Sequence, residues 1–296
     1  MDEEIREKYL KAGKIAREAR EFGKELIRED ISLLEVVSKI EDLIVKRGAR
    51  VAFPVNIAID DVAAHFTPKH DDNKLTFQRG NLVKLDVGAH VDGYIADTAV
   101  TVEVGTQNWQ DLIKASEDAL QVAIDMIRPG TDLGDVGKAV EQTITQYGFK
   151  PISNLTGHSL EQFKLHGGMS IPNVEEHDAE ICQPDHVLAI EPFATDGAGK
   201  VKGYKVSNIY RFLRERPVSN DDACLLMEKI KKYRKTLPFS ERWCARYLPN
   251  PNKAIYKLIQ ARVISMYPIL KDKDAGMVSQ AEHSVIVIKD GCEVFT

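Results

Sequence analysis

Residues 81–104, NLVKLDVGAHVDGYIADTAVTVEV, contain the clearest structural signal in the sequence. Two apolar, β-branched runs flank the dipeptide Asp92-Gly93, and Asp-Gly between such runs is a strong signal for a tight β-hairpin. The first run contains Asp86 and the second contains Asp97. Because a hairpin brings its strands side by side, we expect these two carboxylates to lie close together on adjacent strands.

Helices are predicted on both sides of this hairpin. Apolar residues recur every three or four positions over 5–26, and a second helix is predicted over 32–48, with Ser32 and Glu35 as a capping box. The other elements predicted from periodicity are helices over 108–128 and 131–148 and strands over 185–193 and 279–288. Helices mixed with antiparallel hairpins favour an α+β fold over a doubly wound parallel sheet.

The second and fourth predicted helices look related. Aligned at an offset of 100 residues without a gap, segments 27–48 and 127–148 share 7 identities in 22 positions. Amphipathic helices resemble one another by chance, so a single match of this kind is modest evidence. It nevertheless predicts two structural halves related by duplication.

Composition excludes several classes of protein. The 296 residues are 43% hydrophobic and 29% charged, which is enough apolar material for one or two folded domains and excludes disorder, collagen and disulfide scaffolds. A net charge of −5 argues against a generally basic nucleic-acid binder. The charged N-terminal segment does not resemble a signal peptide, and no run of 18 apolar residues exists. We therefore expect a cytoplasmic protein with no membrane partner.

One region differs from the rest in charge. Residues 208–266 carry 13 Lys and Arg against 5 Asp and Glu, a net charge of +8, which leaves −13 on the remaining chain. Two segments in this region show helical periodicity. The region is predicted to be a small helical insertion in the second half.

Four carboxylates stand inside apolar runs: Asp86, Asp97, Glu191 and Glu282. An unpaired carboxylate on a buried strand is costly, and few Lys or Arg residues lie near these four in sequence. With His158 they form an oxygen-rich set with one nitrogen, which suits two divalent ions of the Mn, Fe, Co or Zn type. Each residue alone is more often structural, so the prediction rests on the set.

The cysteines and four of the other histidines are predicted to have no part in catalysis. The four cysteines show no CxxC spacing, so they predict free thiols in a reducing compartment rather than a zinc ribbon or a redox dithiol. We expect His70, His177 and His186 to be solvated and His90 to be structural.

The chain resembles the methionine aminopeptidases of the second type, in their short archaeal form. The matching segments are AFPVN (52–56), AAHFTP (63–68), KLDVG (84–88), Asp97, GHS (157–159), LH (165–166), AIEPF (189–193), YP (267–268) and QAEH (280–283). The resemblance implies the pita-bread fold, with two pseudo-symmetric α+β halves. Its catalytic domain would comprise residues 1–207 and 267–296, and 208–266 would be the insertion that distinguishes the second type from the first.

The resemblance also implies a role for each metal-ligating residue. Asp86 would chelate one ion, His158 and Glu191 would hold the other, and Asp97 and Glu282 would bridge the two. Glu191 would serve in addition as general base or proton shuttle while an activated water attacks the first peptide carbonyl.

Four further residues are implied to handle the substrate. His166 would polarise the scissile carbonyl, His65 would contact the substrate's backbone nitrogen, and Phe53 and Tyr267 would line an apolar pocket for methionine. The implied reaction removes the initiator methionine from nascent polypeptides when the second residue is small. Ile209 stands where eukaryotic members have a histidine, so the shape of the pocket could differ from theirs.

Two other functions remain open from the sequence. A prolidase or aminopeptidase P-like peptidase shares the implied fold, but such proteins usually carry a separate N-terminal domain, and only about fifty residues precede Phe53. A catalytically dead relative that binds nucleic acid or the ribosome would be expected to lack metal ligands, whereas all five are present. The basic insertion is additionally predicted to dock on the ribosome, with a solvated helix face as the alternative.

Overall fold

The computed structural model describes residues 1–296, except for the side chain of Val206. Seven helices are present in the part of the chain so described. They are α1 (Glu3–Leu26), α2 (Leu33–Lys46), α3 (Gln110–Met126), α4 (Leu133–Gln146), α5 (Asp221–Tyr233), α6 (Glu241–Cys244) and α7 (Asn252–Gln260). The four helices predicted before residue 150 are confirmed, with ends that differ by a few residues.

Sixteen strands form four antiparallel sheets. They are β1 (Arg50–Val51), β2 (Asn56–Ile59), β3 (Val62–Ala64), β4 (Leu82–Val91), β5 (Tyr94–Glu103), β6 (Lys150–Pro151), β7 (Thr156–Ser159), β8 (Ser170–Pro172), β9 (Val187–Ile190), β10 (Phe193–Thr195), β11 (Val201–Phe212), β12 (Phe239–Ser240), β13 (Ile264–Asp272), β14 (Val278–Gln280), β15 (His283–Ile288) and β16 (Gly291–Val294). The α+β class is therefore confirmed.

Strands β4 and β5 form the predicted hairpin. They pair over their full lengths, and Asp92 and Gly93 at the tip both adopt positive φ, as a two-residue turn of this type requires. In this register Asp86 lies opposite Ala99, and Asp97 lies opposite Gly88. The two carboxylates are therefore diagonal neighbours on adjacent strands, close enough for one metal site.

The predicted duplication is visible in the element boundaries. Helices α2 and α4 begin at Leu33 and Leu133, and the short strands β1 and β6 occupy 50–51 and 150–151, so both pairs keep the offset of 100 residues. In each half the helix is followed by a glycine with positive φ, Gly48 or Gly148. The two halves thus repeat the same helix–turn–strand unit.

The predicted capping box at the start of α2 is wrong. Ser32 occupies the N-cap position, but its side chain caps no backbone N–H. Its backbone instead forms a bridge to Thr76, while Glu35 pairs with Lys39 at 2.6 Å. In the other half, Asp132 does cap α4 by accepting from Gly134 N at 2.8 Å.

Side-chain hydroxyl groups on the hairpin join the two halves. Thr98 donates to the Glu282 carbonyl at 2.9 Å, and Thr101 donates to the Gln280 carbonyl at 2.7 Å. Ser284 Oγ accepts from Asp97 N at 2.9 Å. These contacts between residues 97–101 and 280–284 form the junction of the two halves, here called the seam. Because the hydroxyl and backbone groups in it are buried, the seam is held by directional hydrogen bonds as well as by apolar packing.

The basic region 208–266, predicted to be an insertion, contains three helices and the ends of two strands. Its helices α5, α6 and α7 lie between Asp221 and Gln260, whereas 208–212 and 264–266 belong to strands β11 and β13, which pair with each other. The division into a catalytic domain and an insertion stays a prediction. None of the helices in the described part of the chain is long and apolar enough to cross a membrane.

Candidate metal centre and substrate cavity

A cavity of about 230 Å³ lies between the two halves. All nine residues predicted to act in the site line it. They are Phe53, His65, Asp86, Asp97, His158, His166, Glu191, Tyr267 and Glu282. The sequence places these residues as far apart as 53 and 282, so their convergence is a property of the tertiary fold.

Interruptions in the predicted strands present the two glutamates. The run 185–193 is broken between β9 and β10 at Glu191, and the run 279–288 is broken between β14 and β15 at Glu282. The strands on either side of each break pair with partners in different sheets. Each glutamate therefore stands where one sheet ends and the next begins, and its side chain enters the cavity.

Asp97, His158 and Glu282 form the tightest group. One ligand atom from each lies within 4.8 Å of the others, and all three side chains are buried. His158 Nε2 lies 3.8 Å from Asp97 Oδ2 and 3.7 Å from Glu191 Oε1. Asp86 faces the same cavity from the neighbouring strand. Such a cluster of carboxylates around one imidazole has the composition of a site for divalent ions.

Burial perturbs the acidity of every member of this cluster. It raises the pKa of Asp86 to about 7. Burial, followed by the charges of the neighbouring carboxylates, raises the pKa values of Asp97, Glu191 and Glu282 well above their ordinary range. Burial lowers the pKa of His158 to about 3, so its imidazole is neutral near pH 7 and available as a ligand.

The donor set fits divalent metal ions. Asp86 Oδ1, Asp97 Oδ1 and Glu282 Oε2 are buried and make no hydrogen bond to any described residue. A buried oxygen without a partner is costly, and a cation is the partner that several converging carboxylates lack. Among the described residues, no Lys or Arg forms a salt bridge with any of the four carboxylates. The negative charge of the cluster is therefore not balanced by a paired basic side chain.

Two histidines lie beside this cluster. The ring of His166 lies 4.5 Å from that of His158, and the ring of His65 lies 5.1 Å edge-on from that of Tyr267. Burial lowers the pKa of His65 to about 4 and, together with the charge of Arg211, lowers that of His166. Both imidazoles are therefore neutral near pH 7 and can each donate one hydrogen bond and accept another.

His65 has a strained backbone conformation, and its ring is fixed by a hydrogen bond. Its φ of 65° lies in the left-handed region, which costs free energy for a residue with a side chain. His65 Nδ1 lies 3.1 Å from the Pro268 carbonyl oxygen. Because a carbonyl can only accept, Nδ1 carries the proton, and Nε2 is left as an acceptor facing the cavity.

Phe53 packs against a glycine of the hairpin. A Cβ atom built on Gly88 would lie 2.1 Å from the Phe53 ring, so the ring occupies the space that any larger residue would need. Gly88 is the residue opposite Asp97. The apolar wall of the cavity is thus in direct contact with the strand pair that carries the aspartates.

The sequence interpretation missed some residues around the cavity. Gln280 donates to Glu191 Oε2 at 3.2 Å, and Asn56, opposite Asp86 in the sheet, also lines the cavity. Both lie inside the motifs quoted above, which was the available signal. The prediction that His70 is simply solvated is wrong, because its Nδ1 pairs with the buried Glu241 at 2.7 Å.

Comparison with known proteins agrees with this site. Residues 7–212 match the family described as metallopeptidase family M24, and the chain belongs to that family of metal-dependent peptidases. The methionine aminopeptidase of Methanocaldococcus jannaschii is 46% identical over 296 residues, 100% of both chains. That of Methanothermobacter thermautotrophicus is 45% identical over 295 residues, 98% of each chain. Within the family, the chain groups with these methionine aminopeptidases, as its motifs predicted.

Solved structures support the fold independently. The methionine aminopeptidase of Thermotoga maritima matches with a TM-score of 0.73 at 22% identity, over 100% of this chain and 97% of the other. A thermophilic Arx1 matches with a TM-score of 0.86 at 16% identity, over 100% and 91%. The prolidase of Pyrococcus furiosus matches with 0.64 at 18% identity, and only 64% of its chain is covered. At these identities the matches speak for the fold alone, and they confirm the pita-bread architecture.

Proposed function

We propose that this metallo-exopeptidase removes the initiator methionine from nascent polypeptides whose second residue is small. The observation that carries the proposal is the convergence of five candidate metal-ligand residues and two further, neutral histidines on one small cavity. The curated relatives at 46% and 45% identity, which bear the name methionine aminopeptidase, support the same activity. Because the substrate is made on ribosomes, we place the reaction in the cytoplasm.

We propose that the cofactor is a pair of divalent ions, drawn from Co, Mn, Fe and Zn. Asp86 would bind one ion, His158 and Glu191 the other, and Asp97 and Glu282 would bridge them. With both oxygens of each carboxylate counted, this set offers about nine ligand atoms, more than the roughly four to six that a single ion of this type binds, and its combined charge of up to −4 matches two dications. When bound, the ions supply Lewis-acid chemistry to water and to the peptide carbonyl.

The protein's own residues would bind the substrate and move protons. Glu191 Oε2 is held by Gln280, which leaves Oε1 free to accept a proton from the attacking water and pass it to the leaving amine. His166, neutral and beside His158, would donate a hydrogen bond to the carbonyl oxygen as negative charge develops there. His65 Nε2 would accept the first peptide N–H of the substrate.

The cavity would explain selectivity at both positions. Phe53 and Tyr267 offer aromatic surface to an unbranched thioether, which adapts well to such a pocket. A volume of about 230 Å³ shared with the metal ions leaves little room for a large second side chain. Met-Ala, Met-Gly and Met-Ser peptides should therefore be cleaved, whereas Met-Lys and Met-Trp peptides should be poor substrates.

The decisive experiment measures hydrolysis of Met-Ala-Ser, Met-Lys-Ser and Ala-Pro-Ser by the metal-loaded protein. Cleavage of only the first supports the proposal. Release of a residue preceding proline would instead support the prolidase-like alternative, and failure to bind metal together with no turnover would support the catalytically dead relative. His166→Ala should keep bound metal and lose about 10²-fold in rate, as loss of an oxyanion-type donor does. His65→Ala should also keep bound metal and lose rate, because the substrate N–H would have no acceptor there.

We also propose that the basic insertion docks on ribosomal RNA. Tyr233, at the end of α5, and Tyr247, just after α6, have rings that lie parallel within 7°, and these residues are 39% and 41% exposed. Lys229 Nζ lies 5.6 Å from the centre of the Tyr247 ring, and Lys232 Nζ lies 5.3 Å from the centre of the Tyr233 ring. Exposed aromatic faces combined with cations suit RNA, because bases stack on rings while phosphates attract lysine.

Some cations of the basic region already have partners within the chain. Arg234 stacks on Trp243 at 3.9 Å, and Lys231 forms a salt bridge with Glu215. The test therefore reverses Lys232→Glu and Arg246→Glu, which are exposed, and compares them with Lys11→Glu and Lys289→Glu on the acidic body. Ribosome cosedimentation at low salt should fall for the first pair only, with cleavage of a free tripeptide unchanged. Equal binding by both double variants would refute docking through the insertion.

A further inference from the structure

The short helix α6 of the insertion is entirely buried, which is unusual for a surface insertion. Its residues Glu241, Arg242, Trp243 and Cys244 are all shielded from solvent. Two of them are charged, and a buried charge is stable only when it is paired and hydrogen-bonded. The partners of these two charges lie outside the insertion, in the segment 41–70.

Arg242 forms the centre of this contact. Its guanidinium pairs with Glu41 of helix α2 and donates to Thr67 Oγ1 at 3.1 Å and to the Pro68 carbonyl at 2.7 Å. Trp243 Nε1 donates to the other oxygen of Glu41 at 2.7 Å. Glu41 is 3% exposed and Arg242 is 7% exposed, so these bonds are made without competition from water.

The loop that receives these bonds is the one that carries two candidate substrate residues. Residues 52–70, which include the short strands β2 and β3 and are here called the cavity loop, contain Phe53 and His65. The loop is also closed on itself, because Thr67 Oγ1 donates to the Val55 carbonyl at 2.8 Å. Arg242 thus contacts the cavity loop at Thr67, two residues after His65. Thr67 in turn bonds to Val55, two residues after Phe53.

A second bond from α6 holds the far end of the cavity loop. The carboxylate of Glu241 accepts from His70 N at 3.1 Å and contacts His70 Nδ1 at 2.7 Å. Beyond the loop, Ser240 pairs with Ile209, and Ile209 and Pro238 line the cavity themselves. The insertion therefore supplies part of the cavity wall and fixes the loop that forms another part.

We propose that Arg242 is a positioning residue for the substrate cavity, acting through Glu41 and Thr67 to hold Phe53 and His65. The strained φ of His65 gives this role its importance, because a left-handed residue persists only when its surroundings over-determine it. The inference rests on the proposed aminopeptidase function for its kinetic consequence. Its structural consequence, order in the cavity loop, is independent of activity.

The test compares Arg242→Lys with the double variant Glu41→Gln/Arg242→Met. Lysine keeps the charge but cannot donate to Glu41, Thr67 and Pro68 together, since it lacks the planar fork of arginine. The double variant leaves no unpaired buried charge and keeps an acceptor for Trp243, which protects the fold. Arg47→Met is the matched control, because Arg47 pairs with Glu18 at the surface of the same region.

Both variants should raise KM for Met-Ala-Ser about tenfold and narrow the preference for Met over Leu at the first position. Bound metal should stay the same, because the hydrogen bonds of Arg242 within the described residues go to Glu41, Thr67 and Pro68 and to none of the proposed metal ligands. A merely structural role would lower the folded fraction without changing KM or the Met-to-Leu ratio of the folded enzyme. Unchanged KM and ratio in both variants would overturn the proposal.

Amide hydrogen exchange provides the readout that does not depend on catalysis. Exchange in residues 52–70 should accelerate at least tenfold in both variants, while the hairpin 82–103 keeps the wild-type rate. Arg47→Met should leave both regions unchanged. If the wild-type protein cleaves no peptide, the proposed function fails, and this measurement alone decides the inference; equal exchange in the cavity loop would overturn it.

Discussion

In the N-terminal half, the two aspartates of the candidate metal site stand on one hairpin of two ten-residue strands. In the C-terminal half, His158, Glu191 and Glu282 come from three separated segments of chain. The halves share the helix–turn–strand unit at an offset of 100 residues, yet they assemble their ligands differently. A local turn is enough to bring the aspartates together, whereas the other three residues meet only after distant strands have paired.

Because of this difference, the two halves contribute to the site at different stages of folding. The hairpin can present its carboxylates as soon as β4 and β5 pair. The site is complete only when Glu282 is held at the seam, where its N–H donates to the Ala99 carbonyl at 3.2 Å. The proposed metal centre would therefore form only when the two halves are joined, and each of the following expectations tests that view.

The largest effect should come from removing either of the proposed bridging ligands. Asp97→Asn and Glu282→Gln should each lower kcat by about 10³-fold or more, because several kcal/mol of metal-assisted stabilisation would be lost. The exposed Glu25→Gln should be neutral. Turnover at saturating metal, with metal content by elemental analysis, is the measurement. Near-normal turnover in one variant alone would mean that a single half holds the essential ion.

Metal removal should loosen the seam. A ligand that binds only the folded protein stabilises it by about 2.7 kcal/mol at 100 times its Kd, so chelation should lower Tm by several degrees. Asp97→Asn should show little of this metal-dependent shift. Differential scanning calorimetry with and without a chelator measures it. An equal shift in wild type and variant would place the stabilising ion away from the seam.

Glycines next to the ligands should respond unequally. A Cβ on Gly157 would lie 2.4 Å from the Ala189 carbonyl oxygen, which is backbone, whereas a Cβ on Gly88 meets the movable Phe53 ring. Gly157→Ala should cost about 1–3 kcal/mol of unfolding free energy, and Gly88→Ala should cost less while raising KM. Urea unfolding and peptide kinetics give both values. The reverse order would show that the hairpin tolerates less adjustment than the separated strands.

The smallest effect should appear at the two equivalent helix starts. Asp132→Ala should lower stability by about 1 kcal/mol, because its carboxylate caps α4. Ser32→Ala should stay within about 0.5 kcal/mol, because Ser32 makes no side-chain cap. Denaturant midpoints compare the two. A larger loss for Ser32→Ala would restore the capping box that the sequence predicted for α2.

The sequence predicted the elements whose causes are local. The Asp92-Gly93 turn, the apolar periodicity of α1 to α4 and the offset repeat all act over a few residues, and all are present in the structure. The metal-ligand set followed from the cost of burying carboxylates. Those assignments and the insertion boundaries stay predictions, although the cavity brings the proposed ligands together.

The features that were missed depend on distant partners. The break at Glu191 had a local signal, because Pro192 cannot continue a paired strand, but the break at Glu282 has none. Ser32 failed as a cap because its backbone bridges Thr76. The contacts of Arg242 with Glu41 join segments about 200 residues apart, and charge composition alone describes the insertion only as a basic surface.

The wide separation of the ligands also has a consequence in time. Asp86 and Glu282 lie 196 positions apart in the chain, so one end of the site is synthesised long before the other. At a translation rate of about 5–20 residues per second, the hairpin waits roughly 10–40 s for its last carboxylate. Throughout that interval the growing chain lacks Glu282 and the proposed centre is incomplete, so the chain should be unable to cleave the N-termini of other proteins before its own second half has been made.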